Sequence, residues 1–179
     1  EGVISAAVRR GENLHSQPGM LGAAKAVSAW VGGRRDLALR EVSGAARAGA
    51  RSAEVLYVVG RLEQRLGAEG ARAHLDAALR LHPDFPPAAV ALAVADADEG
   101  RVGEAVARLE RVVAQHPDHL RARLWKALLT ADDVDPDRAL ASMESLKSSL
   151  RYGATTDRVL GALVRARALR RKGDEAGAG

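Results

Sequence analysis

Two stretches of the 179-residue chain carry side chains at spacings that could hold a metal ion. Asp133, Asp135 and Asp137 alternate, and Glu144 follows seven residues after Asp137. Alternating carboxylates closed by a glutamate are how an oxygen-ligand loop grips calcium. That loop also needs a glycine at its sharp turn, where this chain has Arg138, and Pro136 lies inside it. A capping role fits better. Asp135 suits a helix N-cap, Pro136 the first helical position and Asp137 the first turn. His116 and His119 form the second pair, but they straddle Pro117 and have no third ligand nearby, so they are expected to be surface histidines. The absence of cysteine removes thiolate zinc sites, thiol catalysis and disulfides. With no phosphate loop or nucleophile elbow, no catalytic residue, no metal ligand and no cofactor are expected.

Two further signals are repetitive. His82-Pro83-Asp84 recurs as His116-Pro117-Asp118, 34 residues on. The tripeptide is similar to a loop of J-domain co-chaperones, but its recurrence at a fixed spacing points to turn chemistry instead. Arg158, Arg165, Arg167, Arg170, Arg171 and Lys172 make the C-terminal end basic. Nucleic acid would exploit such charge, but single strands also want aromatic platforms, and none lies beside these cations. A solvated helix face is the simpler expectation, so nucleic acid is a minor reading.

The elements that position these side chains are legible from composition. Apolar residues make up 47%, charged residues 28% and aromatic residues 3%, with a formal charge of +4. A core of Ala, Val and Leu with few rings suits closely packed helices and not an all-β sandwich. No apolar run reaches the roughly 18 residues of a membrane span, so no membrane insertion is expected. The chain begins at Glu1 rather than Met, which suggests processing or excision from something longer. Its richness in Arg, Ala, Gly and Val suggests a GC-rich, bacterial coding sequence. The compartment is undetermined, with the cytoplasm favoured and the periplasm open.

Internal periodicity is the strongest signal. Ala38, Ala71, Ala105 and Ala139 are spaced by 33, 34 and 34 residues. Four residues after each comes Val42, Leu75, Leu109 or Met143, and seven after each comes Ala45, Ala78, Val112 or Leu146. That is one face of an amphipathic helix. Gly33, Gly67 and Gly100 precede the first three alanines, with Val134 in the fourth copy. Seven residues before those turn positions stand Ala26, Gly60, Ala93 and Ala127. The pattern predicts a helical hairpin repeated four times, with small residues where the two helices cross and glycine closing the first helix. Ala105 belongs at a crossing, while Arg108 is expected to face solvent.

These positions resemble the tetratricopeptide repeat family, over units 19–52, 53–85, 86–119 and 120–153. Lys25 and Lys126 stand where the family usually has leucine, and Glu63 and Asp96 where it usually has tyrosine. Residues 1–18 read as an N-terminal helix, or half of a truncated repeat. Residues 154–172 read as a capping helix carrying Val159, Leu160, Leu163, Val164 and Leu169 on one face with Arg on the other, and 173–179 as a flexible tail. The resemblance implies an all-α, right-handed solenoid that recruits a protein or peptide partner without catalysis. It places the concave wall on one face of each first helix: Tyr57, Arg61, Gln64 and Arg65, then Val90, Val94 and Asp98, then Arg121, Leu124, Leu128 and Asp132. The family's Lys/Asn clamp for chaperone tails has no counterpart at these positions, and a partner with small apolar anchors beside an acid fits better. The alternative is a regulatory or sensor domain of a larger bacterial signalling or transcription protein. Homodimerisation through a terminal repeat face stays open.

Overall fold

The computed structural model describes residues 19–131 and 135–177, and every described element is helical. The expected N-terminal helix over residues 1–18 lies outside the described residues. The helices are α1 (Met20–Val31), α2 (Arg35–Ala48), α3 (Ala53–Leu66), α4 (Ala71–Leu81), α5 (Pro86–Asp98), α6 (Val102–Gln115), α7 (Leu120–Leu129), α8 (Pro136–Ser145), α9 (Lys147–Tyr152) and α10 (Thr155–Gly177). They pack as consecutive hairpins. The chain forms two compact units, residues 1–92 and 93–179, divided within α5.

Local chemistry sets the helix ends. Ser52 caps α3 by accepting the Val55 backbone N–H at 3.3 Å, and Asp135 caps α8 by accepting that of Arg138 at 3.0 Å, with Pro136 leading the helix. Gly67 closes α3 with φ +60° and Gly100 follows α5 with φ +81°. Both are left-handed values that a side chain resists. His82 and His116 end α4 and α6, and their backbone N–H groups donate to Ala78 and Val112. Both His-Pro-Asp tripeptides therefore terminate second helices.

Small residues let the helices approach. Gly60 is buried where α3 meets α4. A Cβ there would lie 2.7 Å from Leu75 Cγ and 2.9 Å from the Ala71 carbonyl oxygen. In the first unit, Ala23, Ala26, Ala38, Val42 and Ala45 pack with Val55, Val59 and Leu62. A second cluster joins Ala53, Leu56, Ala78 and Ala88 beside Tyr57 and Phe85. In the second unit Leu124, Met143, Leu146, Leu160 and Val164 form the main cluster. No described helix is long and apolar enough to cross a membrane.

The C-terminal end differs from the expected capping helix. α8 stops at Ser145 and the short α9 follows directly, so the fourth second helix is broken at Leu146. α10 runs for 23 residues. It buries Leu160, Val164 and Ala168, but Val159, Leu163 and Leu169 are 54%, 49% and 53% exposed. The apolar residues read as one inward face divide between two faces, because 159 and 163 lie about 100° round the helix from 160 and 164.

Candidate functional site

In the first unit, α3 presents a polar row. Arg61 Nη1 donates to Gln64 Oε1 at 2.7 Å, and Gln64 Nε2 donates to the Ala91 carbonyl at 3.2 Å. One helical turn after Arg61, the exposed Arg65 lays its guanidinium 4.7 Å from the centroid of Trp30, on α1. Cation and ring together make a platform of the kind that attracts acids and planar groups. Tyr57 stands apart from this. It is half-buried, meets Phe85 edge-on at 5.5 Å, and belongs to the packing of the unit.

Several residues expected on a groove wall have other duties. Val90 is 3% exposed and Leu124 is fully buried, so neither offers a surface to a partner. Leu128 packs against the Leu124 cluster. Arg121 is tied to the last helix: its Nε donates to Asp157 Oδ1 at 2.8 Å and its Nη2 to Thr156 Oγ1 at 3.2 Å. Val94 is half-buried, Asp98 is exposed, and Asp132 lies outside the described residues. Helical spacing marks a face correctly, but it cannot tell a face that meets solvent from one that meets the next hairpin.

The two carboxylates at the family's tyrosine positions are buried and paired. Glu63 Oε2 lies 2.7 Å from His74 Nδ1. Asp96 has no exposed surface; its Oδ1 accepts from Arg101 Nη2 at 3.0 Å and its Oδ2 from Arg108 Nε at 3.1 Å. The hydrogen bonds that Arg101 donates to Glu99 and Asp96 raise its pKa further above its usual value. Arg108 is therefore not the solvent-facing residue expected. Each base, His74 or Arg108, sits three residues after its repeat alanine, and each carboxylate three after its small crossing residue. That coincidence was available in the sequence, and it marks an internal clamp within a hairpin.

The metal-like spacings resolve into structure. Asp135 caps α8, and Asp137 holds Lys172 Nζ at 2.5 Å, which raises the lysine pKa. Glu144 pairs with Lys147 at 2.7 Å, which lowers its own pKa. Asp133 lies outside the described residues. His119 is half-buried, and its Nδ1 accepts the Ala122 backbone N–H at 3.2 Å to cap α7. Burial lowers its pKa, so it is not a surface histidine. No group of three or more metal-ligating side chains occurs among the described residues. On the basic last helix, Arg171 donates to the Ala131 carbonyl at 3.1 Å and Lys172 holds Asp137. Arg158 likewise donates to Thr155 Oγ1 at 3.2 Å, so several of its cations are engaged within the unit.

An all-α chain of consecutive hairpins with small residues at the crossings is a helical-repeat protein. The tetratricopeptide repeat family model matches residues 68–131. Two crystal structures of MamA share the fold. One aligns over 98% of this chain and 87% of its own at TM-score 0.55 and 14% identity, the other over 89% and 94% at 0.60 and 19%. A tetratricopeptide repeat protein from Parabacteroides merdae aligns over 88% of this chain at TM-score 0.62 and 18% identity, and this chain spans 62% of it. No curated protein sequence matches the chain. Residues 68–131 carry recognisable tetratricopeptide repeat sequence, and the chain shares the helical-repeat fold of these structures over most of its length. Such repeats generally mediate protein–protein interaction.

Proposed function

We propose that the chain is a non-catalytic scaffold or adaptor that recruits a partner through an acidic segment bearing small apolar anchors. The observation that carries this reading is the Arg65–Trp30 platform, with Arg61 and Gln64 aligned beside it on α3. A carboxylate can take charge-assisted hydrogen bonds from the guanidinium edges while an apolar group covers the indole. Arg and Trp are also the side chains most often found at the energetic centre of an interface. Internal engagement of Lys172 and Arg171 weighs against nucleic acid as the partner of the last helix. A displayed random-peptide library, selected on the wild-type chain, tests the proposal. Enriched peptides are expected to carry Asp or Glu beside Ala, Val or Leu, and the Arg61→Glu, Arg65→Glu double variant is expected to lose them. The Arg65→Glu single variant should weaken capture with helicity and melting near wild type, since that charge is exposed and such charges add little to stability; the half-buried Arg61 is held by Gln64, so the double variant is read against it. Equal capture of the same peptides by both proteins would overturn the reading.

A further inference from the structure

The outer face of α10 carries apolar as well as charged side chains. α10 packs against α7, α8 and α9 through Leu160, Gly161, Val164 and Ala168, and then shows a second apolar stripe on the far side. Val159, Leu163 and Leu169 stand about half exposed, with Ala162 and Ala166 exposed between them. Apolar character on two faces belongs to a helix covered on both. From Val159 to Leu169 the stripe runs about 15 Å, three turns of helix. Leu169 also borders a cleft of about 390 Å³ lined by Leu140, Met143 and Leu150 together with the charged Glu144, Lys147 and Arg165.

The charges around the stripe select what covers it. Arg158, Arg165 and Arg170 are exposed along its length, and no carboxylate occurs between Arg158 and Gly173. Asp157 is buried against Arg121. From the neighbouring helices, Glu144 faces Arg165 but is already held by Lys147, and Asp137 is held by Lys172. A second copy laid on this face would set arginine against arginine. A helix with an apolar ridge and glutamates on either side would meet leucine with leucine and arginine with acid.

We propose that the outer face of α10 is a docking surface for an acidic amphipathic helix of a partner protein, separate from the Trp30–Arg65 platform. The probes are two labelled helical peptides of about four turns. Both carry a Leu/Ala ridge; one is flanked by Glu, and its twin has every Glu replaced by Lys. Fluorescence anisotropy with the full chain should show saturable binding of the Glu peptide, at least about tenfold tighter than the Lys twin, a difference of about 1.4 kcal/mol. Leu163→Ser with Leu169→Ser should remove that binding while the melting temperature stays unchanged. Arg158→Glu with Arg165→Glu should reverse the preference towards the Lys twin, which a mere folding defect would not do. Equal binding of both peptides, or a preference untouched by the charge reversal, would overturn the proposal. So would a wild-type dimer in sedimentation that Leu163→Ser dissociates, since the occupant would then be a second copy.

Discussion

Replacing Arg108 with Met tests whether the buried carboxylate of Asp96 is a working clamp. Asp96 is wholly removed from solvent and holds Arg101 at 3.0 Å and Arg108 at 3.1 Å. Methionine keeps much of the aliphatic stem of Arg108 and deletes its donors. A charge-assisted hydrogen bond contributes about 1.5–3 kcal/mol, and stranding a buried charge outright costs about 3–5 kcal/mol. Arg101 remains in the single variant, so the loss should fall near about 2 kcal/mol. In a chain of this length that corresponds to a melting temperature lower by roughly 4–8 °C. Removing Arg101 as well should cost more than removing Arg108 alone, because a second charge-assisted hydrogen bond is lost. The paired change Asp96→Leu with Arg108→Leu should cost less than Arg108→Met alone, because no charge is then left buried. Urea unfolding followed by far-ultraviolet circular dichroism reads all of these, with Arg111→Met on the exposed face of α6 as reference. If Arg108→Met and Arg111→Met unfold within about 0.5 kcal/mol of each other, the carboxylate is not clamped as described.

Packing and pH give further tests. Gly60→Ala should cost about 1–3 kcal/mol by overpacking, since the new methyl meets the Ala71 carbonyl oxygen at 2.9 Å and backbone yields poorly; a neutral result in the same urea assay would refute the tight crossing. Ala105→Leu should cost about 1–3 kcal/mol at its fully buried site, whereas Ala107→Leu on the exposed face should stay within about 0.5 kcal/mol. His119 has a folded-state pKa below 6.5 because of burial, so the native state favours the neutral ring that caps α7. Its contribution is complete above the unfolded value and is lost as pH falls through the folded one. Melting from about pH 8 to about pH 5 should show a smaller fall for His119→Asn, which caps without titrating there; parallel curves would contradict this.

Much of the fold could be read from spacing alone, because small crossing residues and left-handed glycines leave a period in the sequence. Gly60 and Gly67 each answer a local geometric demand. The site was less legible. Tyr57, Arg61, Gln64, Arg65, Val90 and Leu124 all satisfy helical spacing, yet Val90 and Leu124 are buried while Arg65 is exposed. Which side of a first helix meets solvent depends on how neighbouring hairpins rotate against it, and periodicity within one helix does not encode that rotation. The Trp30–Arg65 contact joins residues 35 positions apart on α1 and α3, and neither residue belongs to the repeat pattern. Asp96 was visible as a departure from tyrosine. Its meaning appeared only with Arg108, whose place three residues after Ala105 could have been matched to His74 after Ala71.

The platform itself can be watched directly. Trp30 and Trp125 are the two tryptophans, so Trp125→Phe leaves Trp30 as the one indole reporter. Titrating this variant with an acidic peptide from the library selection should give a saturable change in Trp30 emission as the peptide displaces water beside Arg65. Adding Arg65→Glu should abolish both the change and the binding. Tight binding with Trp30 emission unmoved, or binding that survives Arg65→Glu, would contradict recruitment at this face.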